Sequence, residues 1–136
     1  MILSNTSQYA IRILTYMTNK EESLVNATEL ADALVMSYKF LTKIMTDLVK
    51  ADMVESIRGR EGGYRLKKKS SDIKVDDILI LFHDTVEDEQ CLLGIGACNG
   101  MCKCTLHDQW MEPKLLMQRM FRESSLKDIA RQGCKI

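Results

Sequence analysis

Apolar side chains recur at helical spacing three times in the first 50 residues of the chain. The first of these stretches covers residues 7–18, the second begins at Asn26 or Thr28, and the third follows Ser37. Asparagine, threonine and serine are favoured at the start of a helix, where their side-chain oxygens accept a free backbone N–H. Because each stretch has one apolar and one polar face, the pattern predicts three amphipathic helices around a shared core.

The second and third predicted helices are separated by a tight connection, and the third carries short polar and basic side chains near its start. This order is typical of a helix-turn-helix, whose second helix enters the major groove of DNA. The alternative to DNA binding is a polar helix face that is simply exposed to solvent. The candidate DNA-contacting residues on the third helix are Ser37, Tyr38, Lys39, Thr42 and Lys43.

A β-hairpin is predicted directly after these helices. Residues 53–57 alternate as a strand does, residues 58–63 form a glycine-rich turn, and residues 64–66 return. A hairpin with a basic tip beside a helix-turn-helix is a wing, whose arginines contact phosphates or enter a narrow minor groove. Taken alone, the same residues could form any surface hairpin. The candidate wing contacts are Arg58, Arg60 and Arg65.

Two more helices are predicted beyond the wing. Residues 75–82 form a short helix with two aspartates in its first turn, closed by His83, which we interpret as a capping or solvent-facing residue. After residue 105, apolar residues recur at spacings of four and three, the pattern of a packed helix pair. Pro113 lies within that pattern and is expected to bend the helix or restart it. We interpret the pattern as a dimerisation helix, with packing against the chain's own domain as the alternative; its candidate contacts are Leu106, Trp110, Met117 and Met120.

Charge is unevenly distributed although the formal net charge is zero. Residues 36–74 carry ten Lys/Arg against five Asp/Glu, whereas residues 75–112 carry eight acids and one lysine. The basic segment suits a phosphate backbone. With 136 residues and 46% apolar content, the chain is long enough for one domain with an added arm. We find no signal peptide and no membrane-spanning run, and we expect a cytoplasmic protein.

Four of the five cysteines and one of the two histidines fall within residues 91–107. Thiolates close to an imidazole are the ligands of a soft metal or an iron-sulfur cluster. A disulfide framework is the weaker alternative in a reducing compartment. Zinc held by Cys98, Cys102, Cys104 and His107 would instead make the segment a structural clip in a constitutive DNA-binding or interaction protein. No catalytic constellation accompanies the segment, so we do not expect an enzyme, and we interpret Cys134 as an incidental thiol.

The order of these elements resembles the Rrf-two family of bacterial winged-helix regulators, and in particular its IscR-like branch, regulators of iron-sulfur cluster biogenesis. The resemblance covers essentially the whole chain. It is carried by SQYA at residues 7–10, FLTKI at 40–44, RGREGGYRL at 58–66, CTLHDQW at 104–110 and SSLKDI at 124–129.

The resemblance implies a homodimeric regulator that binds double-stranded operator DNA and holds an iron-sulfur cluster, 2Fe-2S rather than 4Fe-4S. The implied ligands are Cys91, Cys98, Cys104 and His107. Cys102 is an additional thiol and an alternative ligand, and the gap before Cys98 is one residue longer than usual. Some nitric-oxide sensors of the family use an N-terminal carboxylate, where this chain has Gln8.

We therefore expect a mainly α fold with a small β-hairpin wing. We expect the protein to act as a repressor. These expectations divide the chain into a winged helix-turn-helix domain (1–83), a cysteine-rich cluster loop (84–104) and a dimerisation helix with a C-terminal tail (105–136).

Overall fold

A computed structural model of the chain describes residues 3–20, 23–86, 91–98, 101 and 103–130. Within these residues the protein is mainly helical with one two-stranded antiparallel hairpin, which confirms the expected fold class. The elements in chain order are α1 (Asn5–Asn19), α2 (Ala27–Leu34), α3 (Tyr38–Lys50), β1 (Val54–Ile57), β2 (Gly63–Leu66), α4 (Val75–Leu81), α5 (His107–Glu123) and α6 (Leu126–Ala130).

Side-chain caps fix where the first three helices begin. The Asn26 side chain accepts a hydrogen bond from the Glu29 backbone N–H at 2.8 Å, and Ser37 Oγ accepts one from Phe40 at 3.2 Å. Both caps were predicted. The first helix starts at Asn5, earlier than predicted, because Ser4 caps it through the backbone N–H of Ser7.

The core is formed mainly by the apolar faces of α1, α2 and α3, with further residues from β1, α4 and the connecting segments and one residue of α6. That residue, Leu126, is fully buried, and its backbone N–H donates to the Ile73 carbonyl at 3.0 Å. The segment expected to be a tail therefore supplies core to the DNA-binding half of the chain. The fully buried apolar residues of the three helices are Ala10, Ile13, Leu14, Leu30, Leu34, Leu41, Ile44, Met45 and Leu48.

The hairpin is fastened to the linker between α1 and α2. Val25 and Tyr64 exchange backbone hydrogen bonds of 3.0 and 2.8 Å. This approach requires glycine at position 63, because a Cβ there would lie 2.9 Å from the Val25 carbonyl oxygen. The hairpin is thus held beside the α1–α2 linker through β2.

Helix α5 runs without interruption through Pro113 and packs against α4. Its buried side chains are polar, namely His107, Lys114 and Gln118, whereas Leu115, Leu116 and Met120 are more than half exposed. Among the predicted seam residues, Leu106, Trp110 and Met117 are partly buried. An exposed apolar stripe therefore remains on α5. None of the described helices is both long and apolar enough to cross a membrane.

Candidate nucleic-acid interface and metal centre

The start of α3 is presented to solvent by the turn that precedes it. Val35 ends α2 in the left-handed conformation, with φ of 52°, and the chain re-enters a helix at Tyr38. Tyr38 is 58% exposed, and Lys39 and Lys43 are exposed beside it. These side chains are available to reach base edges in a major groove.

Thr42 differs from the other candidate residues of α3. It is half-buried, and its hydroxyl donates to the Lys39 carbonyl at 3.0 Å. The hydroxyl oxygen can still accept a hydrogen bond, so a base contact through Thr42 is more restricted than one through Lys43.

The wing presents two arginines at its tip and holds the third within the sheet. Arg58 and Arg60 are exposed beside the turn that the Gly62 N–H closes onto the Gly59 carbonyl at 3.1 Å. Arg65 lies on β2 opposite Glu55 of β1, and the two side chains form an ion pair. A paired guanidinium is less free to bind phosphate, so Arg58 and Arg60 are the stronger wing candidates.

The loop that carries the cysteines turns sharply after Cys91. Gly94 and Gly96 adopt positive φ values of 66° and 137°, which side chains with a Cβ rarely adopt. The turn aims backbone N–H groups at the Cys91 sulfur. Hydrogen bonds from Ile95 and then Leu93 hold the pKa of the Cys91 thiol below its usual value, and Cys104 adds a smaller effect in the same direction.

The other end of the loop meets the first turn of α5. Cys98 Sγ lies 3.0 Å from His107 Nδ1, and both side chains are buried. The His107 N–H donates to the Cys104 carbonyl at 3.0 Å. A thiol and an imidazole held this closely can share a proton, or both can bind the same metal ion.

The three described cysteines of the loop line one pocket of about 280 Å³. Cys98 contacts His107, which does not line this pocket, and Cys91 interacts with Cys104, so the four side chains form two contacting pairs. Within the described ranges no group of three or more His, Cys, Asp or Glu side chains is close enough to hold a single metal ion. Cys102 and Cys134 lie outside the described residues.

A buried polar contact, which the sequence did not predict, fastens α5 to the segment that leads into the loop. Gln118 Nε2 donates to the Val86 carbonyl at 2.8 Å, and Val86 is itself buried. The signal was a lysine and a glutamine four residues apart on a helix with apolar neighbours, which places both on one face. The contact ties the segment that precedes Cys91 to the helix that follows Cys104.

The fold and the exposed face of α3 define the class of protein, a winged helix-turn-helix DNA-binding protein. A family model described as the iron-dependent transcriptional regulator Rrf2 matches residues 3–132. The chain therefore belongs to the Rrf2 (Rrf-two) family of transcriptional regulators.

Relatives agree with this assignment. The chain is 34% identical over 131 residues to a protein of Aquifex aeolicus (strain VF5) that is named as an HTH-type transcriptional regulator. The aligned residues cover 95% of this chain and 91% of the relative. The chain is 30% identical to the HTH-type transcriptional regulator IscR of Escherichia coli O1:K1 / APEC, over 82% of this chain and 69% of the relative. Among solved structures, CymR, the global cysteine regulator of B. subtilis, superimposes with a TM-score of 0.84 at 20% identity, over 98% of this chain and 99% of CymR. That last likeness concerns the fold alone.

Proposed function

We propose that this transcriptional regulator is a repressor whose affinity for its operator is set by a 2Fe-2S cluster held by Cys91, Cys98, Cys104 and His107. The observation that carries the proposal is that Cys91, Cys98 and Cys104 line one pocket and that His107 Nδ1 lies 3.0 Å from Cys98 Sγ. The description of the matched family as iron-dependent supports the choice of iron.

The pairwise arrangement favours a cluster of two irons over a single zinc ion. In a 2Fe-2S cluster each iron takes two protein ligands, so two pairs of ligands suffice. A structural zinc ion needs its ligands around one point at about 2.0–2.3 Å. Of the zinc candidates, Cys98, Cys104 and His107 are described, and Cys102 lies outside the described residues.

The protein's own groups would favour thiolate ligands at this site. The backbone N–H groups that lower the Cys91 pKa stabilise the deprotonated sulfur, the form that binds iron. Gln8 is exposed, and its side chain donates to the Leu3 carbonyl at 2.6 Å. An amide is a poor ligand, so Gln8 gives no support for a ligand from the N-terminal helix.

Coupling to DNA would pass through the elements at the two ends of the loop. The loop leaves α4 and enters α5, and Gln118 fastens its beginning to α5. A bound cluster supplies fixed bonds between the two ends of the loop, and it can act only if those bonds differ between two arrangements of the protein. The four ligands would then restrain the orientation of α5.

We further propose that α5 forms the interface of a homodimer. Leu115, Leu116 and Met120 are each more than half exposed and lie on one side of the helix. A second copy of the chain could bury them, and the distance between the two recognition helices would then depend on how α5 is held. The substitution of Leu116 and Met120 by lysine, followed by sedimentation equilibrium, tests this: monomer is expected, and an unchanged dimer would contradict it.

The proposed function is tested by purification without oxygen. We expect a coloured protein containing iron and acid-labile sulfide, with visible charge-transfer absorption and an electron paramagnetic resonance signal after reduction. A colourless protein that retains zinc would contradict the cluster and favour the structural clip.

A further inference from the structure

A cavity at the root of the wing lies away from both the cysteine loop and the face of α3. It has a volume of about 550 Å³, within the range of small-molecule sites. Three parts of the chain line it: the end of α1 together with Ser23 and Leu24, the end of β2 with the residues that follow, and α6.

Six cationic side chains surround this cavity, and none of the described lining residues is acidic. Serine hydroxyls add polar groups, and the apolar part of the lining is Met17, Leu24 and Leu66. We call this site the basic pocket. Its cations are Lys20, Arg65, Lys67, Lys68, Lys69 and Lys127.

Half of these cations are already paired with carboxylates. Lys67 Nζ lies 2.8 Å from Asp52 Oδ1, Lys20 Nζ lies 4.0 Å from Glu29 Oε1, and Arg65 is paired with Glu55.

The other three cations, Lys68, Lys69 and Lys127, form no ion pair with any residue that the structure describes. Like charges gathered on a concave surface repel one another, and an anion placed between them relieves that repulsion. Glu21 and Glu22, which the sequence places between Lys20 and Ser23, lie outside the described residues.

The walls are held together by backbone contacts, so the pocket is preformed. The Lys127 N–H donates to the Ser70 carbonyl at 3.3 Å, which joins α6 to the segment after β2. The backbone hydrogen bonds between Val25 and Tyr64 join β2 to the α1–α2 linker. A preformed pocket binds a ligand without the cost of ordering its walls.

Arg65 is the one candidate DNA-binding residue that also lines the basic pocket. No residue of α3 and none of the wing-tip residues 58–62 lines it. Strand β2 runs from the tip towards the root, and four steps of 3.3 Å separate Gly63 from Lys67 by about 13 Å. The wing tip and the basic pocket therefore lie at the two ends of β2.

We propose that the basic pocket binds a small phosphorylated molecule of the nucleoside diphosphate class. Its phosphates would lie among Lys68, Lys69 and Lys127, and its apolar or planar part would pack on Met17, Leu24 and Leu66. The ligand would bridge the root of the wing to α1 and α6. The proposal concerns a different part of the chain from the cysteine loop and does not depend on the cluster.

The test is calorimetric titration of the full chain with ADP, with adenosine and inorganic phosphate as separate titrants. ADP is expected to bind at one site per chain, and each of the other two titrants more weakly. Lys69→Gln and Lys127→Gln should each weaken ADP binding by about tenfold, the loss expected for one charge-assisted contact. Arg119→Gln, which removes an exposed cation of α5, should leave the ADP affinity unchanged.

Three results would overturn the proposal. ADP does not bind at millimolar concentration, or inorganic phosphate binds as tightly as ADP, or Arg119→Gln weakens ADP binding as much as Lys127→Gln does. A parallel titration with duplex DNA identifies the alternative source of phosphate. Two results are decisive in that titration: each pocket variant reduces the salt dependence of duplex binding by about one unit of slope, and saturating duplex displaces ADP. Both results together would show that the basic pocket is part of the DNA interface and not a separate site.

Discussion

Cys98 Sγ lies 3.0 Å from His107 Nδ1, and both side chains are buried where the cysteine loop meets the first turn of α5. The contact joins two residues nine positions apart and places a titratable thiol beside a titratable ring. A group bound by both would restrain the loop and the helix together. The predictions below follow from that restraint and from the exposed faces of α3 and the wing.

The substitution His107→Cys should keep the cluster and lower its reduction potential. A thiolate in place of an imidazole adds negative charge to the cluster, and the expected shift is on the order of 100 mV or more. A redox titration followed by visible absorption measures it. His83→Ala is the matched control, since His83 is exposed and lies outside the loop. An unchanged potential in His107→Cys would exclude His107 as a ligand.

Alanine at Cys91, Cys98 or Cys104 should each abolish cluster retention, because no neighbouring thiol can replace the lost ligand without reshaping the loop. Iron and sulfide analysis after purification without oxygen gives the result. Cys134→Ala serves as the control and should keep the cluster. If Cys98→Ala retained a full cluster while Cys102→Ala lost it, the assignment within the loop would be wrong.

Substitutions on α3 and on the wing should affect DNA binding differently. Lys43→Ala removes an exposed side chain of the recognition helix and should cost about 1–3 kcal/mol on the preferred operator, with relaxed preference at one base position. Arg60→Ala removes a wing-tip charge and should weaken binding to all sequences alike, reducing the salt dependence by about one unit of slope.

Binding isotherms at several salt concentrations, on operator and on scrambled duplex, separate these two effects. Arg119→Ala, which removes an exposed cation of α5, is a control that should change neither quantity. Specific binding that survived both Lys43→Ala and Arg60→Ala would contradict the assignment of the DNA-binding surface.

Gln118→Ala should destabilise the protein through the segment before the loop. The substitution leaves the buried Val86 carbonyl without its donor at 2.8 Å, at a cost of about 1–3 kcal/mol in the free energy of unfolding. Urea unfolding of the cluster-free protein measures this. Gln109→Ala, an exposed position on the same helix, should change stability by less than about 0.5 kcal/mol. Equal effects of the two substitutions would refute the anchoring role of Gln118.

The helices and the wing were predictable because the information that fixes them is local. Asn26 and Ser37 mark helix starts through hydrogen bonds three residues along the chain, and the Gly59–Gly63 region marks a turn between two alternating segments. Periodicity and turn chemistry record such short-range contacts directly. The exposure of Lys39 and Lys43 followed from the same periodicity.

Contacts that depend on tertiary structure were not predictable from the sequence. The pairing of Arg65 with Glu55 requires the register of the hairpin, and the burial of Leu126 requires α6 to reach α1. The polar side of α5 also faces inward, because Gln118 finds a carbonyl partner there that no sequence pattern reveals. The spacing of the cysteines predicted a binding loop, whereas the two contacting pairs emerged only from the folded chain.

The central claim, that a cluster sets DNA affinity, is tested most directly by one preparation measured in two states. Protein purified without oxygen is analysed for iron and sulfide, and its affinity for duplexes selected from random sequence is measured before and after the iron is removed by a chelator. The account predicts about two irons and two sulfides per chain and a change in affinity of about fivefold or more, the lower end of typical allosteric coupling. Equal affinity in the two states would contradict it.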